Sequence, residues 1–329
     1  MRLMGKRLGV LAIALVVGVV ALAGCGSGGK ASAAKGVVNV AYAGSLTNLM
    51  EHTLGPAFQR ATGYTYQGKG AGSTAIANQI ASKLIHPDVF ISASAAAYTP
   101  LEGAAHGNVV TWYLSFASTQ MVIGYSPKSS FAARFQQAAS GQAPWYTVLA
   151  SPGLRLGRTD PALDPKGVNT ILTMQLAERY YSQPGLAQKI LGANDNAAQI
   201  FPEETLVARL GSGQLDAGFF YLNEVKDAGL PSISLPAQIN LGDPARKATY
   251  AQATYTDAKG VAHTGAPILY SVTIPATASN RAGALAFAQY LLGGGGQGIL
   301  SADGIGQIGP VAGGDAATIP AELKSYLKG

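Results

Sequence analysis

Short apolar runs and segments of helical period take turns along residues 37–292, and that alternation constrains the fold more than any other feature of the sequence. Residues 37–42 (VVNVAY), 64–67, 88–92 (DVFIS), 121–125 (MVIGY), 154–157, 219–222 and 268–274 have the length and side-chain content of strands. Between them Leu46, Leu49, Met50, Leu54 and Phe58 recur at helical spacing, as do Ile76, Ile80 and Leu84, and Val168, Ile171, Leu172 and Leu176. Residues 202–210 and 280–292 read as further helices, the second ended by glycines 293–296. Pro56 should interrupt or kink the first helix. Strands alternating with helices predict α/β layers with mainly parallel sheets. At roughly 100–200 residues per domain, 329 residues predict two domains. No Pro-rich linker divides the chain, so two lobes joined by more than one crossing are expected. The 48% apolar content supports real cores and excludes a largely disordered chain.

Charged residues make up only 12%. The net charge of +6 is uneven: Arg2, Lys6 and Arg7 lie in the first 24 residues, and the rest carries +3. No Lys/Arg run interleaves with aromatics, which argues against a nucleic-acid groove. The single cysteine, Cys25, excludes an internal disulfide, a Cys-rich zinc site and an iron–sulfur cluster. Residues 8–23 are uncharged and apolar, shorter than the ~20 residues of a spanning helix. Leu22-Ala23-Gly24-Cys25 follows and resembles the bacterial lipobox. The expectation is a signal peptide over 1–24, lipidation and membrane anchoring at Cys25, and a flexible tether over 25–36. The protein would sit on the outer face of the membrane. No later run of 18 uncharged apolar residues occurs.

Two places share one form, a strand followed by Ala-Gly-Ser and a helix: Ala43-Gly44-Ser45 and Ala71-Gly72-Ser73. Glycine lets backbone approach a ligand, and a helix start offers free N–H groups and partial positive charge, which suits an anion. The plainer reading is that each serine caps its own helix. The segment 158–167 (RTDPALDPKG) offers Asp160 and Asp164, and Pro202-Glu203-Glu204-Thr205 opens a helix. Taken alone, these acids read as turn, cap and dipole partners. His52, His86, His106 and His263 show no metal-ligand spacing, and no G-x-S-x-G elbow is present. Catalysis is therefore not expected, with a Ser45-based hydrolase as a remote alternative.

Taken in order, the motifs are similar to those of tungstate/molybdate-binding proteins of ABC importers, the WtpA-like branch of the periplasmic binding proteins. The series runs through AGSL at 43–46, AGS at 71–73, PDVFISAS at 87–94, Trp112-Tyr113, MVIGY at 121–125, the two Asp-Pro turns, Pro202-Glu203-Glu204-Thr205, Gly213-Gln214-Leu215-Asp216, Phe220-Tyr221, LPAQINL at 235–241 and PILYSVTIP at 267–275. The resemblance implies a two-lobe, type II periplasmic-binding-protein fold of mixed sheets flanked by helices, with the ligand in the inter-lobe cleft. Lobe 1 would take 37–120 and 270–329, and lobe 2 would take 121–269. It implies an octahedral shell about the metal completed by Asp164 and Glu204, with Ser45, Ser73 and Tyr221 toward the oxyanion's oxygens. It also implies an ABC permease and ATPase as partners, a monomer, no cofactor and no enzymatic activity. Lys166 and Val168 stand where the family leads one to expect Cys and Tyr.

Carboxylates repel a dianion, so their presence needs a chemical reason. Tungsten(VI) and molybdenum(VI) accept oxygen ligands beyond the four of the oxyanion, whereas sulfur in sulfate does not. The same acids would then attract tungstate or molybdate and reject sulfate and phosphate. A receptor for sulfate, phosphate or an organic anion is the alternative, and it would depend on helix starts with few acids.

Overall fold

The computed structural model describes residues 35–327; the expected signal segment, Cys25 and the tether through residue 34 lie outside the described residues. The strands are β1 Val37–Ala43, β2 Thr65–Ala71, β3 Val89–Ser92, β4 Trp112–Ser118, β5 Met121–Tyr125, β6 Leu156–Gly157, β7 Ala217–Tyr221, β8 Ser232–Ser234, β9 Thr254–Thr256, β10 Ala262–Thr264, β11 Leu269–Thr273 and β12 Gly306–Gly314. One sheet has the order β12-β4-β11-β3-β1-β2 and a second the order β6-β7-β5-β8, while β9 and β10 form a separate hairpin. The helices that frame the site are α1 Ser73–Ala81, α2 Pro165–Tyr180, α3 Glu203–Ser212 and α4 Leu222–Asp227, with α5 Arg281–Leu292 and α6 Gly294–Ala302 nearer the carboxyl end. Among the described residues no helix is long and apolar enough to cross a membrane.

The sheets are mixed, not mainly parallel as the alternation suggested. β1 runs parallel to β2 and β3, and β6 parallel to β7. β11 runs antiparallel to β3 and β4, β12 to β4, and β5 to β7 and β8. The cause is the path of the chain between the sheets. β4 ends at Ser118 in the larger sheet, and β5 starts at Met121 in the smaller one. β11 brings the chain back, with Leu269 opposite Ser118. Two neighbouring strands that carry the chain in opposite directions between the same sheets must pair antiparallel.

Strand β1 is paired along both edges in the larger sheet, and both its faces are covered as well. Val38, Val40 and Tyr42 pack in one core with Leu49, Met50, Phe58 and Phe287, and Ala41 packs on the other side with Ile76, Phe90 and Tyr98. The alternation follows the two-residue period of a strand. The Phe58 ring meets Phe287 edge-on at 5.0 Å.

Three details differ from the sequence expectation. The chain stays helical through Pro56 because Met50–Leu54 widens into π-helix just before it, and Pro56 then occupies the first turn of the helix Gly55–Thr62. β2 continues through Gly68 and Gly70 instead of ending at Gln67. A side chain at either glycine would collide with the cluster of Tyr42, Glu51, Tyr66 and Thr47, so glycine keeps that space open. Finally, Gly293 ends α5, but the glycines after it begin α6.

Candidate functional site

The two Ala-Gly-Ser turns leave the carboxyl ends of adjacent strands, with Ala43 of β1 opposite Ala71 of β2. Ser45 and Ser73 are both buried. Neither makes a capping hydrogen bond: the N-cap positions are Ala43 and Gly72. Ser45 Oγ instead accepts from Tyr270 Oη at 3.0 Å, and Ser73 Oγ accepts from the Ala93 amide at 3.1 Å. Tyr221, ending β7, is fully buried, and its hydroxyl accepts from Asn169 Nδ2 at 3.0 Å. A hydroxyl whose lone pair is engaged keeps its own proton for another acceptor. Ser73 and Tyr221 are thus set up as donors, while Ser45 shares its hydrogen bond with Tyr270, whose hydroxyl also lies 3.3 Å from Asn223 Oδ1.

The acids come from the other side. Asp164 is the N-cap of α2, and its Oδ1 accepts from the Lys166 amide at 2.6 Å. Glu203 opens α3, and its Oε1 accepts from Lys166 Nζ at 3.1 Å. Lys166 Nζ also donates to Glu224 Oε1 at 2.6 Å, and the lysine side chain is 0% exposed. Glu224 in turn accepts from the Tyr221 amide through Oε2 at 2.7 Å. Each candidate ligand therefore has one oxygen held. Asp164 Oδ2 and Glu203 Oε2 are buried and receive no hydrogen bond from any other residue; the two carboxyls lie against each other.

Those two free oxygens lie against the two turns. A Cβ added at Gly44 would come within 2.5 Å of Glu203 Oε2, and one at Gly72 within 3.2 Å of Asp164 Oδ2. Hydrogen bonds tie the same parts together. The Ala75 amide donates to Leu163 O at 2.9 Å, and Asn223 Nδ2 donates to Ser45 O at 2.7 Å. Asn223 Oδ1 accepts from Thr119 Oγ1 at 2.9 Å, which fixes its amide orientation.

Burial pushes the Asp164 carboxyl above the usual carboxylate range, against the pull of Lys166. Glu203 is pushed up strongly, first by burial and then by the Asp164 charge beside it. Burial also raises Glu224. For Lys166 burial alone favours the neutral amine, but Glu203, Glu224 and Asp164 outweigh it and hold the ammonium charged. The site thus gathers three acids and one base, with two carboxyls in contact and no basic partner for their free oxygens. Among the described residues no group of three His, Cys, Asp or Glu is arranged to hold a metal cation.

The structure brings Ser45, Ser73, Asp164 and Tyr221 into this region but places Glu204 outside it, exposed on α3, with Glu203 in the buried position. The reason is helical geometry. Glu203, Leu206 and Leu210 fall on one buried face, and Glu204 is turned about 100° away. That spacing was present in the sequence and singles out Glu203. Asp160 is half-buried, and its Oδ1 accepts from the Ala162 amide at 2.8 Å in a local turn. Sequence reasoning did not place Lys166, Asn223, Glu224 and Tyr270 in the site. A lysine or glutamate reads by default as solvated, and only three-dimensional pairing reveals otherwise.

Comparison with known proteins places this geometry in a family. Residues 38–306 match the bacterial extracellular solute-binding protein family. An uncharacterized solute-binding protein of Halobacterium salinarum is 35% identical over 270 residues, covering 82% of each chain. The molybdate/tungstate-binding protein WtpA of Pyrococcus abyssi is 28% identical over 313 residues, covering 87% of this chain and 89% of its own. The periplasmic molybdate-binding protein of Azotobacter vinelandii superposes with a TM-score of 0.54 at 19% identity, covering 82% of this chain and 98% of that one. The fold is the type II periplasmic-binding-protein fold, with mixed sheets flanked by helices. The chain belongs to the bacterial extracellular solute-binding protein family, and it is a solute-binding protein, not an enzyme.

Proposed function

We propose that the protein captures molybdate or tungstate and delivers it to an ABC permease with its ATPase. One observation carries the reading: two buried carboxyls each present one oxygen that no other residue donates to, Asp164 Oδ2 and Glu203 Oε2, in a region that also holds the buried hydroxyls of Ser45, Ser73 and Tyr221. The hydroxyls of Ser45, Ser73 and Tyr221 donate to the oxyanion's oxygens, and the two carboxylates bond the metal itself. The names of the relatives from Pyrococcus abyssi and Azotobacter vinelandii support the same ligand class. Residues 37–120 with 270–329 act as one lobe and 121–269 as the other, closing over the anion. Sulfate and phosphate are rejected because their central atoms give the carboxylates nothing to bond and leave only repulsion.

Titration calorimetry of the purified protein with tungstate, molybdate, sulfate and phosphate tests this. Tungstate or molybdate should bind at least ~100-fold more tightly than sulfate or phosphate, about 2.7 kcal/mol. Equal affinity for sulfate would overturn the reading.

The sequence around Cys25 supports a lipid anchor at the outer face of the membrane, with the protein acting as a monomer. Cys25→Ser should release the protein from the membrane fraction. Unchanged fractionation of that variant would contradict the anchor.

A further inference from the structure

We infer that Lys166 is the positioning residue that makes Asp164 and Glu203 one-oxygen donors to the bound metal centre. The inference rests on the oxyanion reading above. A carboxylate free to rotate can engage a metal through either oxygen or both. Here one residue removes that freedom from both acids. The Lys166 amide takes Asp164 Oδ1 at 2.6 Å, and Lys166 Nζ takes Glu203 Oε1 at 3.1 Å. In both cases the remaining oxygen is the buried, unpartnered one.

The lysine is itself held from behind. Glu224 Oε1 accepts from Nζ at 2.6 Å, and Glu224 Oε2 is fixed by the Tyr221 amide at 2.7 Å. The aromatic faces of Phe220 and Tyr221 lie 5.8 and 5.5 Å from Nζ and pack the ammonium against movement. A chain of contacts thus runs from the end of β7 through Glu224 and Lys166 to Glu203 at the start of α3. The charge of Lys166 is matched by Glu224, so the pair aims Glu203 without adding net charge to the site.

The test uses that balance. Lys166→Met combined with Glu224→Gln removes one positive and one negative charge and leaves the net charge of the site unchanged. The side-chain amide introduced by Glu224→Gln retains an oxygen for the Tyr221 N–H, and Lys166→Met leaves the main-chain bond to Asp164 in place. Tungsten-edge X-ray absorption counts the oxygen neighbours of bound tungstate. The wild type should show the four oxyanion oxygens and two from protein, whereas the double variant, with Glu203 free to rotate, should depart from two protein oxygens, by losing the Glu203 oxygen or by taking its second as well. Its tungstate affinity should fall tenfold or more, and its preference for tungstate over sulfate should narrow by a similar factor. A role in folding alone would leave the metal's shell unaltered.

A folded double variant with the wild-type shell and affinity overturns the role of Lys166 and leaves the oxyanion reading intact. A wild-type protein that binds no tungstate overturns both. Where the double variant does not fold, Glu224→Gln alone decides. It loosens Lys166 from behind and leaves its charge unmatched, so the metal's shell and not the affinity is the readout: an altered count of protein oxygens supports the inference, and an unchanged shell overturns it.

Discussion

Gly44→Ala tests whether the first Ala-Gly-Ser turn and Glu203 form one site. The backbone of Gly44 lies outside the left-handed region, so alanine is acceptable there on conformational grounds. The difficulty is the neighbour. The new methyl would stand 2.5 Å from Glu203 Oε2 and 2.9 Å from its Cδ, and the carboxylate must retreat by about 0.9 Å to reach an ordinary 3.4 Å contact. Overpacking of this kind costs about 1–3 kcal/mol. Because the strain falls on the arrangement that encloses the ligand, it should appear as a loss of tungstate affinity of about 5- to 150-fold. Calorimetry on the variant measures this. Gly298→Ala is the control: it lies within α6 with nothing inside 4 Å, so it should leave affinity alone and stabilise by about 0.5–1 kcal/mol. A Gly44→Ala protein with wild-type affinity would refute the placement of Glu203 against the turn.

Glu203→Gln should weaken tungstate tenfold or more, about 1.4 kcal/mol, while Glu204→Gln should leave binding unchanged; equal effects in calorimetry would contradict the assignment by helix face. Glu203→Gln should also leave the ligand-free protein at least as stable as wild type in thermal melts, because the native carboxyl is buried beside Asp164 and its pKa is raised. Asp227 is pushed up to about 7 by burial and by Asp303 beside it. The folded state therefore holds this proton more tightly than the unfolded chain, and stability falls as pH rises from the ordinary carboxylate range to about 7, then levels. Asp227→Asn should remove that fall, so its melting temperature should gain on wild type across that window; a constant difference from pH 4 to 8 would count against it.

Much of the fold was legible because buried strands such as VVNVAY and MVIGY announce themselves by composition. The pairing direction was not, because it depends on where the chain crosses between sheets, and the two residues between β4 and β5 carry no signal of a change of sheet. The serines could be found because the same turn occurs twice. Their capping role could be excluded only once Tyr270 and the Ala93 amide were seen at their oxygens. Asp164 reads as a helix cap, and the structure gives it that bond while leaving its second oxygen free. The choice between Glu203 and Glu204 was within reach of the sequence, since Leu206 and Leu210 mark the buried face. Lys166 was not within reach, because its burial depends on Glu203 and Glu224, which lie 37 and 58 residues away.

The most direct measurement is an anomalous difference map from crystals grown with tungstate, recorded at the tungsten edge. It should show one strong peak between Ser45, Ser73, Asp164 and Glu203, within bonding distance of one oxygen of each carboxylate and with hydroxyls at hydrogen-bonding distance from the oxyanion. A peak elsewhere on the protein, or one at this place touched by the hydroxyls but not by the carboxylates, would contradict direct bonding of the metal to Asp164 and Glu203.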